Sequence, residues 1–553
     1  MKRAKIIIPI LVAIITFFAS IVYSREYFLY DAEKSKILYM GEKDTVFTET
    51  MDFEKNPNLI MKTSDPNKYL AIYAPEDNSK LTDKKDKESN PGQLIIFNIA
   101  TGRTEDLVEL GFWPYRWNYT KDHKHFFITY KPTPDSKSME MLHYSVEEKK
   151  SEKISIPASE VSNLSFNYDE SKLYAVANRA VNSKKDEMIS DLLIITYSPL
   201  TIASTMHFDQ KILGLYILSQ DRIALLNLDS KHKAKSLTLI STQDYSIIQE
   251  QKLKMIYSWT SWFDKEHVLI VGGFETRNIL FGLVGQGEFC KVTANEIKFI
   301  TPAAPWVDFE YLPEKDCLYI LSQRHMEVID FKASTRNKFD TDFNTYFDHN
   351  GNCHFYQLYR LPDSNLAAIY CSSNSEVKFY DLTANKLIKK VNCGRSGGKK
   401  ILSSIFEINT KTTITTNQDS SQYYVLNRAT KDITVLDKEF NKPSYIVPRE
   451  ELIGMYQITK PTRRTLVTTG NTVYVIKETE TALEPIYNFQ VETKETSLYA
   501  EEGRLILISD KELLVIDSET LKITNHISLY GDPNEKYTKL QPGARRYYFI
   551  RSL

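Results

Sequence analysis

Apolar runs that stop at an Asp or Asn, turn and resume recur along all of this 553-residue chain, and that recurrence limits its fold more than any other feature. Three stretches show it most plainly: Leu94 to Arg103 (LIIFNIATGR), Val377 to Lys386 (VKFYDLTANK) and Leu513 to Lys522 (LLVIDSETLK). Each reads as strand, turn, strand. The side chain of the closing Asp or Asn can accept a hydrogen bond from the backbone two residues on, so the turn forms with little strain. The 34 Tyr and 27 Phe suit pleated, half-buried surfaces better than helices. The expectation is an all-β chain.

A second kind of turn, polar and lysine-ended, precedes an apolar strand at Ser64 to Ile72, at Tyr168 to Val176 and, more loosely, at Thr120 to Ile128. Leu312-Pro313-Glu314 and Leu361-Pro362-Asp363 lead into Cys317-Leu318-Tyr319-Ile320 and Leu366-Ala367-Ala368-Ile369, an offset of 49 residues. Four-stranded propeller blades repeat at roughly 40 to 50 residues. Following the strand pairs gives unit starts near Ile60, Trp113, Val161, Leu213, Tyr257, Trp306, Phe355, Leu402, Leu452 and Thr496. A half-unit, Tyr537 to Leu553, ends in Tyr547-Tyr548-Phe549-Ile550 and supplies only inner strands, while Glu26 to Asp31 and Lys36 to Met40 read as an outer hairpin without an inner partner. Pairing the two ends in one shared blade closes a ring and removes an open sheet edge.

The expected fold is therefore a β-propeller of four-stranded antiparallel blades over residues 25–553. About eleven units exceed the usual range of roughly four to eight blades per ring. Two arrangements absorb the surplus: one large ring of seven or eight elaborated blades, or two smaller rings divided near residues 255–305. Lys80 to Asn90 (KLTDKKDKESN), too poor in apolar residues to build a core, reads as one insertion.

Leu514 to Thr520 (LVIDSET) and Phe97 to Gly102 (FNIATG) resemble the turns of YVTN-type repeats. The chain as a whole resembles the YVTN-type and WD-repeat-like propeller superfamily, especially its exported bacterial members, although the Gly-His to Trp-Asp signature of WD repeats is not repeated. The resemblance implies a fold, and propellers serve as scaffolds, ligand binders and enzymes.

Residues 1–24 read as a signal peptide or N-terminal membrane anchor: Met1-Lys2-Arg3-Ala4-Lys5 is basic, and Ile6 to Tyr23 is almost wholly apolar. Cleavage after Ser24 fits, and so does retention as a short span. Either way the expected location is outside the cytoplasm: periplasmic, at the cell surface or anchored on the outer side of a membrane. Membrane contact is expected only through residues 6–23, if uncleaved. Seventy Lys and Arg against 71 Asp and Glu leave a net charge of -1, which disfavours nucleic acid as a partner. Cys290, Cys317, Cys353, Cys371 and Cys393 are odd in number and never spaced CxxC, so they read as small buried hydrophobes rather than a disulfide framework, a zinc site or a haem attachment.

Gly394-Arg395-Ser396-Gly397-Gly398 matches GxSxG, but a strand rather than a helix is expected after it, so no nucleophile elbow forms. Cys393 stands where a phosphate loop needs its first Gly. What remains is an anion-binding loop carrying Arg395, Lys399 and Lys400. Asp340-Thr341-Asp342-Phe343-Asn344 opens like a calcium loop, yet Thr345 and Gly351 occupy the positions that require Gly and Glu. His123 and His125 lack a third ligand.

All five tryptophans, Trp113, Trp117, Trp259, Trp262 and Trp306, fall at or just before expected innermost strands, where their rings either wedge between blades or stack on a ligand at the channel mouth. Arg116, Lys265, Arg324 and His325 are expected on or near the same rim. The reading that follows is a non-enzymatic, extracytoplasmic binding scaffold, without cofactor, catalytic residue or metal, that presents its loop face to a protein, peptide or glycan of the cell envelope. The alternative is a propeller enzyme, a quinoprotein-like oxidoreductase or lactonase-like hydrolase, with its site at the channel mouth.

Overall fold

The computed structural model describes residues 26–551 except 75–90, 183–186, 229–234, 254–256, 277–284, 303–305, 323–324, 341–355, 362–364, 372–375, 385, 394–413, 418, 420, 428–430, 442–443, 449, 459–461, 478–480, 502 and 531–544. Every regular element among the described residues is a strand. Nine antiparallel sheets have four strands, and a tenth has eight because the sixth and seventh units are joined by one pair, Gly285 with Trp306. Blade 1 combines Tyr27–Asp31, Lys36–Met40 and Thr48–Asp52 with Tyr547–Arg551 from the far end of the chain. Blades 2 to 11 follow in order, with innermost strands Leu59–Lys62, Phe112–Tyr119, Glu160–Phe166, Lys211–Ser219, Tyr257–Phe263, Trp306–Leu312, Tyr356–Arg360, Ile414–Thr416, Leu452–Ile458 and Thr496–Ala500.

These strand starts follow the sequence units closely, apart from Leu402, which lies outside the described residues. The blade number does not follow the expectation. Eleven blades form a single ring, neither a seven- or eight-bladed ring nor two smaller ones. The reason lies in the packing: the sheets meet face to face in eleven apolar clusters, ten joining successive blades and one joining blade 11 to blade 1. Leu173, Ala175 and Ala177 face blade 3, while Tyr174 and Val176 on the same strand face blade 5. Period-two alternation with both faces buried explains why the middle strands read as unbroken apolar runs. Two such clusters carry the ring through residues 255–305 without a break.

The predicted turns form as expected. Asn98 Oδ1 accepts the amides of Ala100 and Thr101 at 2.9 and 3.1 Å, Asp381 Oδ1 those of Thr383 and Ala384 at 2.7 and 2.9 Å, and Asp517 Oδ1 those of Glu519 and Thr520 at 3.1 and 2.7 Å. On the outside of the ring, strands such as Lys150–Ile156 (KSEKISI) place charge on edges that would otherwise pair with another molecule.

Ring closure follows the predicted pairing of the two ends. Phe28 lies opposite Ile550, Leu29 opposite Phe549 and Tyr30 opposite Tyr548. The C-terminal segment contributes one innermost strand, and the N-terminal segment contributes three. Arg546 forks onto Asp31 at 3.1 and 3.0 Å and reaches Glu33 at 2.8 Å. At the opposite end of the blade, the buried Arg504 of blade 11 donates to the carbonyls of Gly41 and Asp44 in blade 1 and to Glu501 at 3.1 Å, while Tyr27 also donates to Glu501. Glu26 accepts from Tyr69 at 2.7 Å and from Lys62 at 3.0 Å, tying blade 1 to blade 2.

The Asp31 side chain is 2% exposed, so removing its partner leaves an uncompensated buried charge, which costs about 3 kcal/mol or more. Arg546→Ala should therefore lower the unfolding free energy from urea titration by that margin. A loss below about 1 kcal/mol, the value of an exposed pair, would show that this pair does not hold the seam.

Candidate ligand-binding face

Because each blade runs outward from its innermost strand, its first and third connections lie at one end of the ring, while its second connection and the crossing to the next blade lie at the other. At the first end no connection is longer than that of residues 41–47, between Met40 and Thr48. At the second end five are longer, spanning 74–92, 277–284, 341–355, 393–413 and 529–546. The ring thus has a short-turn face and a long-loop face.

Buried and half-buried polar side chains pin several connections of the long-loop face. Glu512, 1% exposed, accepts the amides of Gln490 and Val491 at 2.7 and 3.2 Å, the Tyr487 hydroxyl at 2.8 Å and a His526 nitrogen at 3.0 Å. Asp510 accepts the Lys494 amide at 3.2 Å, and Glu450 accepts that of Asn471 at 3.2 Å. In blade 4, buried Asp191 holds Arg179 and His207 at 2.9 and 2.7 Å, with the Arg179 side chain half-buried and that of His207 exposed toward this face. Carboxylates that accept several hydrogen bonds fix a loop more firmly than apolar contact alone.

Along the channel, side chains of one innermost strand reach a neighbouring blade. Arg116 donates to the Ser162 carbonyl at 2.7 Å, Asn118 to Leu164 at 3.0 Å and Gln457 to Thr416 at 2.8 Å. Two strands share a Gly-x-Tyr pattern, Gly214-Leu215-Tyr216 and Gly454-Met455-Tyr456. A Cβ on either glycine would lie 2.7 Å from the hydroxyl of its own tyrosine, so only Gly lets the ring fold back along the strand. Tyr456 then reaches the Thr496 carbonyl at 2.6 Å, and Tyr216 reaches Thr260. Sequence reasoning missed this device, although the repeated Gly-x-Tyr was its signal.

Of the five tryptophans, Trp117 and Trp262 have described side chains, and these two do not converge. Trp113 and Trp306 stand near the starts of their innermost strands, at the long-loop end, while Trp259 lies mid-strand opposite Gly272. Trp117, on the innermost strand of blade 3, is 39% exposed. Trp262 lies toward the short-turn end and packs into the cluster between blades 5 and 6, 5.7 Å from Tyr216. It is a wedge rather than a ligand platform. Arg116 is committed to Ser162, and Lys265 lies in a turn of the short-turn face, away from His325 at the long-loop end of blade 7. The side chains of Trp113, Trp259, Trp306 and Arg324, the loop with Arg395, Lys399 and Lys400, and Asp342 to Cys353 lie outside the described residues. Burial pushes the Cys290 and Cys393 thiols up to about 12, as inert core groups require.

Two titratable clusters were not foreseen. Asp308 and Glu310 lie on one side of the innermost strand of blade 7, where Asp308 accepts the Leu358 amide of blade 8 at 2.9 Å. Burial and then Asp308 push Glu310 up to about 7, with Arg360 opposing. In blade 3, His125 Nδ1 and His143 Nε2 are 3.0 Å apart, and His143 stacks on Phe127 at 4.7 Å against Tyr197 of blade 4. One ring donates and the other accepts, so the bond lasts only while one imidazole is neutral. Among the described residues, no three His, Cys, Asp or Glu side chains are grouped as metal ligands.

No family model matches this chain. No curated protein matches it either. Solved structures similar to it include hydrazine synthase of Kuenenia stuttgartiensis, 10% identical over 70% of this chain and 98% of that one, with a TM-score of 0.29. The dihydro-haem d1 dehydrogenase NirN in complex with DHE is 12% identical over 70% and 71%, with a TM-score of 0.30. A eukaryotic initiation factor is 12% identical over 76% and 95%, with a TM-score of 0.38. At such identities and TM-scores none of these carries an argument about function, and the propeller assignment rests on this chain's own strand topology.

Burial and the adjacent His125 bring His143 down to about 4. The unfolded chain takes up this proton near 6.5, so between those values it binds more protons than the folded ring. The stabilisation is complete above pH 6.5 and is lost as pH falls toward 4. At about 1.4 kcal/mol per unit the ceiling is about 3 kcal/mol. Urea titrations at pH 7 and pH 4.5 should show this loss, and His143→Phe should flatten it; an unchanged slope in the variant would clear the pair of that role.

Proposed function

We propose that this chain is an extracytoplasmic, non-enzymatic propeller scaffold of YVTN-like type that presents its long-loop face to a protein, peptide or glycan of the cell envelope. The observation that carries this reading is the asymmetry of the ring: each of the five longest connections leaves from one face, where polar anchors hold the bases of neighbouring loops. Loops on a rigid β scaffold are where binding surfaces concentrate. The position of the N-terminal strand adds support. Tyr27 begins its strand at the short-turn end, so an anchor formed by residues 6–23 would hold the ring from behind and leave the long-loop face toward solvent.

The enzyme alternative has one observation in its favour, the half-buried carboxyl of Glu310 beside Asp308, since perturbed acids cluster at catalytic sites. In that reading Glu310 acts as a general base, and turnover rises with pH through about 7.

Envelope glycan and peptide arrays, probed with the purified protein, separate the two readings. Saturable binding that falls about tenfold or more in Trp113→Ala, Trp117→Ala or Trp306→Ala, with Glu310→Gln unaffected, is the expected result. Absence of array binding together with turnover lost in Glu310→Gln would replace the scaffold by the enzyme. Sequencing the N-terminus of the membrane-fraction protein tests the anchor.

A further inference from the structure

Eight of the eleven outermost strands carry Lys, Arg, Asp or Glu, residues that keep a sheet edge from pairing with another chain. Three carry none. Ser444–Ile446 in blade 9 has three residues and Ile523–Ser528 in blade 11 has six, but Leu200–Phe208 (LTIASTMHF) in blade 4 has nine, more than any other outermost strand. It ends its sheet, and among the described residues no strand pairs with its outer edge. A row of backbone N–H and C=O groups is therefore turned outward, with no charge on the strand to guard it.

The half of this edge nearer the long-loop face is the more regular. Near the short-turn end the Leu200 amide donates to Glu152 of blade 3 at 3.3 Å, and Ala203 is the extra residue of a bulge, since Ile195 lies opposite Ile202 and Ile194 opposite Ser204. From Ser204 to Phe208 the register against residues 190–194 is unbroken. The two faces of that run differ. Thr205 and His207 are exposed, while Met206 and Phe208 pack against the cluster between blades 4 and 5. The one titratable group, His207, is held by Asp191 at 2.7 Å.

Only an extended backbone complements such a row of donors and acceptors, and main-chain pairing at an exposed sheet edge is a recurrent mode of peptide capture. We propose that the outer edge of Leu200–Phe208 takes an extended segment of a partner protein as a fifth strand of blade 4. Side chains directly across a ladder share a face, so the segment sets small polar residues beside Thr205 and His207 and apolar ones beside Met206 and Phe208. It is neutral, because a charge desolvated at this edge finds no counter-charge on the strand. A second copy is disfavoured: two such edges pair antiparallel about a twofold axis normal to the sheet, which turns the second ring over. Chains held in one membrane by residues 6–23 cannot meet in that way. The choice against a second copy rests on the anchor reading, while the edge itself is independent of what the long-loop face binds.

The test uses the full chain in detergent micelles and a labelled peptide of alternating Thr and Val, read by fluorescence anisotropy. Two counterparts accompany it: the same peptide N-methylated at every residue, and one with Lys in place of Thr. The neutral peptide should bind saturably, and each counterpart at least tenfold more weakly. Thr205→Lys should weaken the neutral peptide about tenfold or more. Thr104→Lys, at an exposed position on the outermost strand Arg103–Glu109 of blade 2, should change it less than twofold. Unchanged urea midpoints show that both variants fold. No binding of the neutral peptide, or equal binding of the N-methylated one, would overturn the added strand. Equal binding of the Lys peptide would overturn its neutrality. Equal losses in the two variants, or none in either, would overturn the assignment to blade 4. In sedimentation velocity on the chain alone, a dimer that Thr205→Lys dissolves would replace the partner by a second copy. Envelope-array binding that persists in Thr205→Lys keeps the scaffold reading standing if the edge fails.

Discussion

The seam between blade 11 and blade 1 is the constraint on which the ring depends. Every blade is buried on both faces by its neighbours, and the core is distributed among eleven separate inter-blade clusters. Ten of these join units that follow one another in the chain. The eleventh brings Tyr27, Leu29 and Met40 against Ile506, Leu513 and Val515, and so must overcome the entropy of closing nearly the whole chain. The charged groups with the best geometry gather around this closing blade: Arg546 on Asp31, Arg504 among the carbonyls of blade 1, and Glu26 beneath Tyr69. Buried polar pairs of this kind add little net stability over apolar packing but specify which surfaces meet. That is what a ring of similar interfaces requires, because blade 11 must meet blade 1 rather than a neighbouring molecule.

Much of this architecture was legible in the sequence because it rests on local chemistry. Asn98, Asp381 and Asp517 close their turns in the predicted way, and Tyr547 to Ile550 pair with residues 27–30 as the unpaired half-units implied. The count of about eleven units was legible too, but their closing into one ring was not, because single rings usually hold fewer blades. What local reasoning lacks is the angle at which one sheet packs on the next, and that angle, summed around the ring, decides how many blades complete a turn.

The candidate site was less legible, for a related reason. Which way a tryptophan faces depends on register and bulges, so Trp262 and Trp117, both on innermost strands, end in opposite environments, one against a core cluster and one exposed. Arg116 read as a rim residue and is instead a clasp onto Ser162. The Gly-x-Tyr clasps and the Asp308 and Glu310 pair depend on contacts between neighbouring innermost strands, which no single repeat reveals.

The register of the closing blade has a mechanical corollary. Tyr27 lies opposite Arg551, so the free ends of the two strands project side by side from the short-turn face. Tension drawing those ends apart would load the ladder one rung at a time, as in a zipper, rather than shearing all rungs together. Such a fastening resists thermal motion through its cooperativity yet yields to modest force, and its first product would be an opened ring whose other ten blades remain in place.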